Sequence, residues 1–462
     1  MSEAVRGSRQ AELFARSRRP TIAIEENHRL VRLADTVDWT ELEARAEVIR
    51  ASKLKNAAGR PPHLRATLGA MLLMATRKMT YREAEDQIRY YAPARYLCGL
   101  TETDWTPDFT TIQDFTELMG EEGVRLINEY AVELAVEEKL ADPKVLVADT
   151  TAQEAAIPWP NEMGLMASFL SSVAAASQKA GKALKQFAQK MTAKFKAGRE
   201  KVRKYRLFAK TKKARLQVMA EMANLVSEVQ AQLARTLKGC ESAANRLVKY
   251  GKVAQAKVFR LHQTMTKLLP QIWYWHKTGR VAANKIINLY IPELYSIVRG
   301  KVGKAVEFGL TWGITRLRGG FLLATLAKDR RELVDAKFAL RAVDQHIALF
   351  GKAPREYAYD RAGYSRKNVI ELRKKGVKQV GLAPLGQAAW EVRESIKEKL
   401  IKERAQVEGG IGAIKSNRYG FNRPAARSAE MMGACGQRAV LGFNLNKLVR
   451  ELAKRSELAL MG

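Results

Sequence analysis

Two apolar runs, KVLVAD (144–149) and REYAYD (355–360), each set β-branched or aromatic residues before a closing aspartate. Runs of this length and composition read as buried strands. They commit the chain to a sheet with carboxylates at its strand ends. Around them the pattern alternates. KAVEFGLTWGITRL and GFLLATLA, joined by Arg318, Gly319 and Gly320, read as a hairpin. RRELVDAKFALRAVDQHIALFG and SRKNVIELRKKG read as helices, VKQVGLAP as a strand, and 390–417 as a charged helix. RAVLGFNLNKLVRELAKRS is expected to close the chain as a small strand and helix. The order strand, insert, hairpin, helix, strand, helix, strand, helix predicts an α/β layer architecture, a mixed sheet with helices on its faces. Ligand sites in such sheets form where strands end.

Upstream the period is helical. LRATLGAMLLMATRKM, then TYREAEDQIRYY with Thr80 as an N-cap, precede a turn at GLTETDWTPDFT. TIQDFTELMG and EEGVRLINEYAVELAVEEKL continue the helical pattern. Residues 165–295 form a long, basic helical insertion in which 179–215 hold Glu200 as their one acid. Phe187, Phe195, Tyr205 and Phe208 are interleaved there, and Trp273 and Trp275 are expected to be a buried pair in a helical core. Across 462 residues, 80 Lys and Arg stand against 48 Asp and Glu, a formal charge of +32. A pI near 10.1 points to a polyanionic partner, nucleic acid first. A hydrophobic content of 47% excludes wholesale disorder. Three dispersed cysteines and five dispersed histidines make a zinc site or disulfide framework unexpected and fit a reducing compartment. No apolar run is long enough to span a bilayer, and the N-terminus lacks the apolar core of a secretory signal. A cytoplasmic location without membrane contact is therefore expected.

The acids that carry chemistry are Asp149, Asp360 and Glu408, the last in RAQVEGGIGAIK. A lone aspartate at a strand end is most often a turn former. Three carboxylates converging on one point repel unless cations join them. Oxygen ligands of this kind suit Mg²⁺, and two such ions can clamp both sides of a phosphoryl displacement. On a helix Arg404, Glu408 and Lys415 share one face to within about 40°. The GxxxxGK[ST] spacing is missing around Gly409–Gly412, so a nucleotide-binding loop is not expected.

At the level of whole blocks the chain resembles bacterial insertion-sequence transposases of the DDE type. GRPPHLRATLGAMLLMATRKMTYREAEDQIRYY is similar to their helical N-terminal domain, and VADTTAQEAAIPWPNE to the block of the first aspartate. VRGKVGKAVEFG resembles the Gly-Lys-x₃-Val-Glu-Phe-Gly strand, and YDRAGYS the second-aspartate block, here with Ala362 between Asp-Arg and Gly-Tyr. ERAQVEGGIGAIKSNRYGFNRPAARS looks like the glutamate block Tyr-x₂-Arg-x₃-Glu-x₆-Lys, with Arg404, Glu408 and Lys415 in place and Ile401 at the tyrosine position. The resemblance covers roughly 59–160 and 296–450. It implies an RNase H-like core, DNA cleavage and strand transfer at element ends, and a metal-binding catalytic triad of Asp149, Asp360 and Glu408. Two Mg²⁺ ions, with Mn²⁺ as a substitute, are the implied cofactors. Inverted-repeat ends and target DNA are the implied partners, held by a homodimer or larger synaptic assembly in a bacterial cytoplasm.

The expected organisation is an arm (1–58), a helical DNA-binding domain (59–142), an RNase H-like catalytic domain (143–164 and 296–462) and the helical insertion between the first and second catalytic aspartates (165–295). DNA contacts are expected from Arg404, Lys415 and Arg361 beside the triad. Arg82 and Arg89, with Arg95, are candidates to contact DNA from the N-terminal domain, a dimer surface that does not touch DNA being the alternative there, and Lys201, Arg203, Lys204 and Arg206 are expected to contact it from the insertion. Two other readings remain at this stage: a non-catalytic DNA-binding protein derived from a transposase, and an RNase H-like nuclease acting on branched DNA.

Overall fold

The computed structural model describes residues 24–54, 63–101, 105–179, 185–241, 249–301, 304–327, 332–384, 390 and 392–461. Residues 1–23 and 55–58 of the expected arm lie outside them. The chain divides into two compact units, one of Met1–Asp142 with Arg438–Gly462 and one of Pro143–Gln437.

The first unit is helical: α1 (Arg29–Thr36), α2 (Trp39–Lys53), α3 (Leu64–Thr76), α4 (Tyr81–Tyr90), α5 (Ala92–Leu97) and α6 (Phe109–Glu137). Thr80 starts α4 through a reciprocal capping box. Its hydroxyl accepts from the Glu83 backbone N–H at 3.2 Å, and the Glu83 carboxylate accepts from the Thr80 N–H at 2.6 Å. Asp108 caps α6 by accepting from the Thr111 N–H at 2.7 Å, which holds its carboxyl below the usual range. Gly120, at φ 60°, breaks α6 where the sequence separates TIQDFTELMG from EEGVRLINEY. Helix α3 is apolar all round, so it is buried along almost its whole length as the centre of this core.

The second unit holds the sheet. Its strands are β1 (Asp142–Glu154), β2 (Tyr295–Lys301), β3 (Lys304–Arg318), β4 (Leu322–Leu326), β5 (Glu356–Tyr359) and β6 (Gln379–Leu382). Among the described residues they form one six-stranded mixed sheet in the order β2-β3-β1-β5-β6, with β4 also paired to β3. β2 and β4 run antiparallel to β3, whereas β1, β5 and β6 run parallel. Gly319 and Gly320 make the β3–β4 turn with φ of 99° and 92°, a region glycine enters without a Cβ penalty.

Between β1 and β2 come helices α7 (Glu162–Lys179), α8 (Lys185–Arg203), α9 (Lys212–Glu241) and α10 (Lys249–Thr278), with a π-helical turn, Lys204–Phe208, between α8 and α9. They enclose a core of their own around Met166, Phe169, Met222, Val226, Met265 and Leu268. Trp273 and Trp275 pack against it half-buried, as do Phe187, Phe195 and Tyr205. Helices α11 (Asp335–Phe350), α12 (Arg366–Lys374) and α13 (Glu394–Ile414) alternate with β5 and β6, and α14 (Ala429–Met461) ends the chain.

Two local expectations are corrected. β1 does not stop at Asp149 but runs on through Thr150–Glu154, because β-branched Thr150 and Thr151 keep the extended backbone and β3 is long enough to lie beside it. The expected C-terminal strand is helix throughout. Leu441, Leu445 and Leu448 recur at helical spacing and are buried, and a short apolar run does not by itself distinguish the two states.

His346 on α11 is a buried titratable group in this unit. Burial pushes its imidazole down from 6.5 to about 4, against a hydrogen bond with the Pro143 backbone. The neutral ring is the folded form, while the unfolded chain takes up a proton below 6.5. This contribution is therefore complete above pH 6.5 and is lost progressively as pH falls towards 4. Its full size is about 3 kcal/mol. Urea midpoints measured across this window should fall for the native protein and stay flatter for His346→Gln; parallel curves for the two proteins would remove His346 as the cause.

Candidate active site

The register of β1 and β5 sets the two aspartates side by side. Val147 pairs with Ala358 in a parallel ladder, so Asp149 and Asp360 each stand two residues further on, at the same level. Strand β1 is central, with β3 on one side and β5 on the other. Asp149 Oδ1 accepts from the Thr150 N–H at 2.7 Å, and Asp360 Oδ1 caps the 3₁₀ turn Arg361–Gly363 by accepting from the Arg361 N–H at 2.6 Å.

Glu408 arrives from α13. Leu400, Val407, Ile411 and Ile414 form the buried stripe of this helix, and Glu408 stands exposed beside it. Polar anchors fix the helix to the sheet. Arg316 of β3, only 6% exposed, donates to Glu403 and Gln406, and Arg318 donates to Glu403 at 3.1 Å and to Glu356 at 3.2 Å. A buried arginine shared by a carboxylate and an amide orients α13 more tightly than surface pairs could. These anchors carry no sequence signal, because Arg316 and Glu403 are far apart in the chain.

Asp149, Asp360 and Glu408 line one cavity of about 760 Å³, with Lys415, Thr150, Thr151 and a fourth acid, Asp335. Asp335 opens α11, where a sequence reading sees only an ordinary first-turn acid. Its Oδ1 accepts from Thr150 Oγ1 at 2.9 Å and from the Tyr359 hydroxyl at 2.9 Å. Thr150 follows Asp149 and Tyr359 precedes Asp360, so one carboxylate oxygen braces both strands beside the paired acids. Burial, then the negative charge of Asp335, raises the Tyr359 phenol far above its ordinary value and keeps it a donor.

The expected DNA-contacting residues fall into two groups. Arg404 faces the site and forms an ion pair with Asp360 at 2.9 Å; Lys415 lines the cavity, and Arg361 is exposed next to Asp360. In the insertion Arg203, Lys204 and Arg206 are exposed, and Glu221 pairs with Lys201 at 3.0 Å and with Lys204 at 3.8 Å. In the first unit Arg82 stacks on the Phe109 ring at 3.8 Å and Arg89 pairs with Glu85 at 2.7 Å. Arg95 donates to the Leu100 carbonyl at 2.7 Å and to Thr106 at 3.1 Å, so its guanidinium holds a loop.

Apart from Lys415, the polar side chains lining the cavity are carboxylates and hydroxyls, oxygen donors of the kind that fit a hard divalent cation. Among the described residues no three His, Cys, Asp or Glu side chains are drawn together closely enough to form a ligand shell as they stand. The four carboxylates thus share a cavity without yet closing around a point. No helix of the described residues is long and apolar enough to cross a membrane.

Residues 19–118 match the family model described as a transposase domain (DUF772), which supports a transposase role for the chain. No match was found among the curated proteins or the solved structures compared with it.

Proposed function

We propose that this protein is a DDE-type transposase that cuts DNA at the ends of a mobile element and joins them to target DNA. The observation that carries the proposal is that Asp149, Asp360 and Glu408, from three separate segments, line one cavity. The strand order, with an antiparallel hairpin on one side of β1 and two parallel strands on the other, fits an RNase H-like core. The transposase-domain match supports the same reading from a different part of the chain.

Asp149, Asp360 and Glu408 would hold two Mg²⁺ ions, or Mn²⁺ in their place. Such ions neutralise phosphate charge and activate the attacking oxygen when bound. The protein's own groups do the rest. Lys415, at the C-cap of α13, lines the acid-rich cavity and brings a positive charge to a place where four carboxylates alone would repel a phosphate. Arg404 neutralises Asp360 in the free protein and can pass to a DNA phosphate once Asp360 is otherwise engaged. The exposed cations of the insertion supply backbone contacts that position the duplex without reading its sequence. Two element ends must be joined, so the working form is a dimer or larger assembly.

The test is an assay of purified protein with element-end DNA and a supercoiled target, with Mg²⁺ or Mn²⁺ titrated. Metal-dependent cleavage followed by joining to the target supports the proposal. Binding without cleavage at any metal concentration would leave a DNA-coating protein, and cutting of branched junctions without joining would leave a nuclease.

Asp335 gives a second expectation for this site. Thr150→Val and Tyr359→Phe each remove one donor to the brace, at about 1 kcal/mol apiece. Both should raise the Mg²⁺ concentration needed for half-maximal cleavage several-fold, with the saturated rate little changed. An unaltered metal requirement in the double variant would show that the brace does not set the spacing of the acids.

A further inference from the structure

The π-helical turn Lys204–Phe208 forms the tip between α8 and α9, and it exposes apolar surface where a fold ordinarily hides it. Leu207 is 54% exposed and Phe208 66%. The tip is held firmly from below. The Ala209 N–H bonds the Lys204 carbonyl at 2.9 Å, the Lys210 N–H bonds the Phe208 carbonyl at 2.9 Å, and Arg215 Nε donates to the Ala209 carbonyl at 3.0 Å. Ala209 is buried and the Arg215 guanidinium lies 5.9 Å from the Tyr205 ring, so the turn is anchored to the helical core. A rigid tip loses little entropy when it meets a partner.

The surroundings identify that partner by charge. Residues 203–213 contain no acid. Arg203, Arg206, Lys210, Lys212 and Lys213 are exposed, and none forms an ion pair among the described residues. A second copy seated on this tip by two-fold symmetry would bring these cations against themselves. Two side chains are too little apolar area to anchor a protein in a lipid surface. A polyanion with apolar faces between its charges meets both demands, and DNA has phosphates flanking stacked bases.

We propose that Leu207 and Phe208 are a wedge that enters duplex DNA at an unstacked base step while the surrounding cations hold the phosphates on either side. Apolar wedges of Phe and Leu kink DNA in this manner, and base–aromatic stacking tolerates any sequence. The inference deepens the proposed function, since it rests on DNA being the substrate.

The experiment compares the full-length protein with a Leu207→Ser/Phe208→Ser double variant. The probes are a short duplex carrying 2-aminopurine beside a central bulge and the same duplex without the bulge. Both positions are exposed, so the variant should keep its circular dichroism spectrum and melting temperature. The native protein should bind the bulged duplex on the order of tenfold more tightly and change the 2-aminopurine emission. The double variant should bind both duplexes alike, at the native protein's affinity for the intact one, and lose the emission change. Retention of discrimination and emission change by the variant overturns the proposal. So does a loss confined to binding of phosphatidylglycerol vesicles, or to self-association measured by light scattering. Asp149→Ala should discriminate as the native protein does. Discrimination without metal-dependent cleavage leaves the wedge standing and removes the transposase reading; cleavage without discrimination does the reverse.

Discussion

Glu408→Gln is expected to reduce metal-dependent DNA cleavage by 10²–10³-fold or more, the usual loss when one group stabilising transition-state charge is removed, while duplex affinity stays within about twofold. The substitution keeps the shape of the side chain and removes only its charge. Glu408 is exposed and makes no hydrogen bond or ion pair among the described residues, so the fold does not depend on it. Asp149→Asn should behave alike in cleavage. Asp360→Asn adds a structural consequence, because it releases Arg404 from a pair at 2.9 Å. Both partners of that pair are about a third or more exposed, so its loss costs no more than about 1 kcal/mol. Single-turnover cleavage beside gel-shift affinity separates the effects. Full cleavage by Glu408→Gln would remove this residue from the chemistry and with it the grouping on which the proposed mechanism rests.

Gly309→Ala is expected to be the most damaging small substitution in the sheet. A Cβ at this position would stand 1.8 Å from the Gln153 carbonyl oxygen and 2.8 Å from its carbon. Both are backbone atoms of β1, so no side chain can swing aside, and β3 must part from the strand that carries Asp149. The loss should be about 4 kcal/mol or more, a large share of the 5–15 kcal/mol that ordinarily holds a domain together. Gly409→Ala is the matched control: nothing lies within 4 Å of a Cβ there. In the middle of α13 the change should stabilise by up to about 1 kcal/mol through helix propensity. Denaturant melts of both variants check this, and a Gly309→Ala protein as stable as the native one would show that the close approach of β3 to β1 is not needed. The glycine that closes the VEFG motif thereby acquires a physical reason: only a residue without a side chain lets these two strands meet.

The elements that were legible share one property, a strong local period. Strands β3, β4, β5 and β6, the turn at Gly319 and Gly320, the Thr80 cap and the break near Gly120 follow from alternation, glycine and capping chemistry. Sequence and structure part where a short run allows two states, as in AVLGFNL, or where a partner strand prolongs an element past its apolar segment, as at Thr150 and Thr151. Asp335 carries no local signal in the sequence for a different reason. Its companions Thr150 and Tyr359 lie 185 and 24 residues away in the chain, and no spacing rule joins them.

By itself, the order of residues determined the surplus of positive charge, the helix-then-sheet succession and which three acids stood out, since all of these are local or additive properties. Only the tertiary structure decided that Val147 and Ala358 share a register, that Arg316 seats the helix of Glu408 on the sheet, and that a fourth carboxylate braces the first two. Those are contacts between distant segments, set by packing and buried hydrogen bonds that form only when the chain has closed on itself.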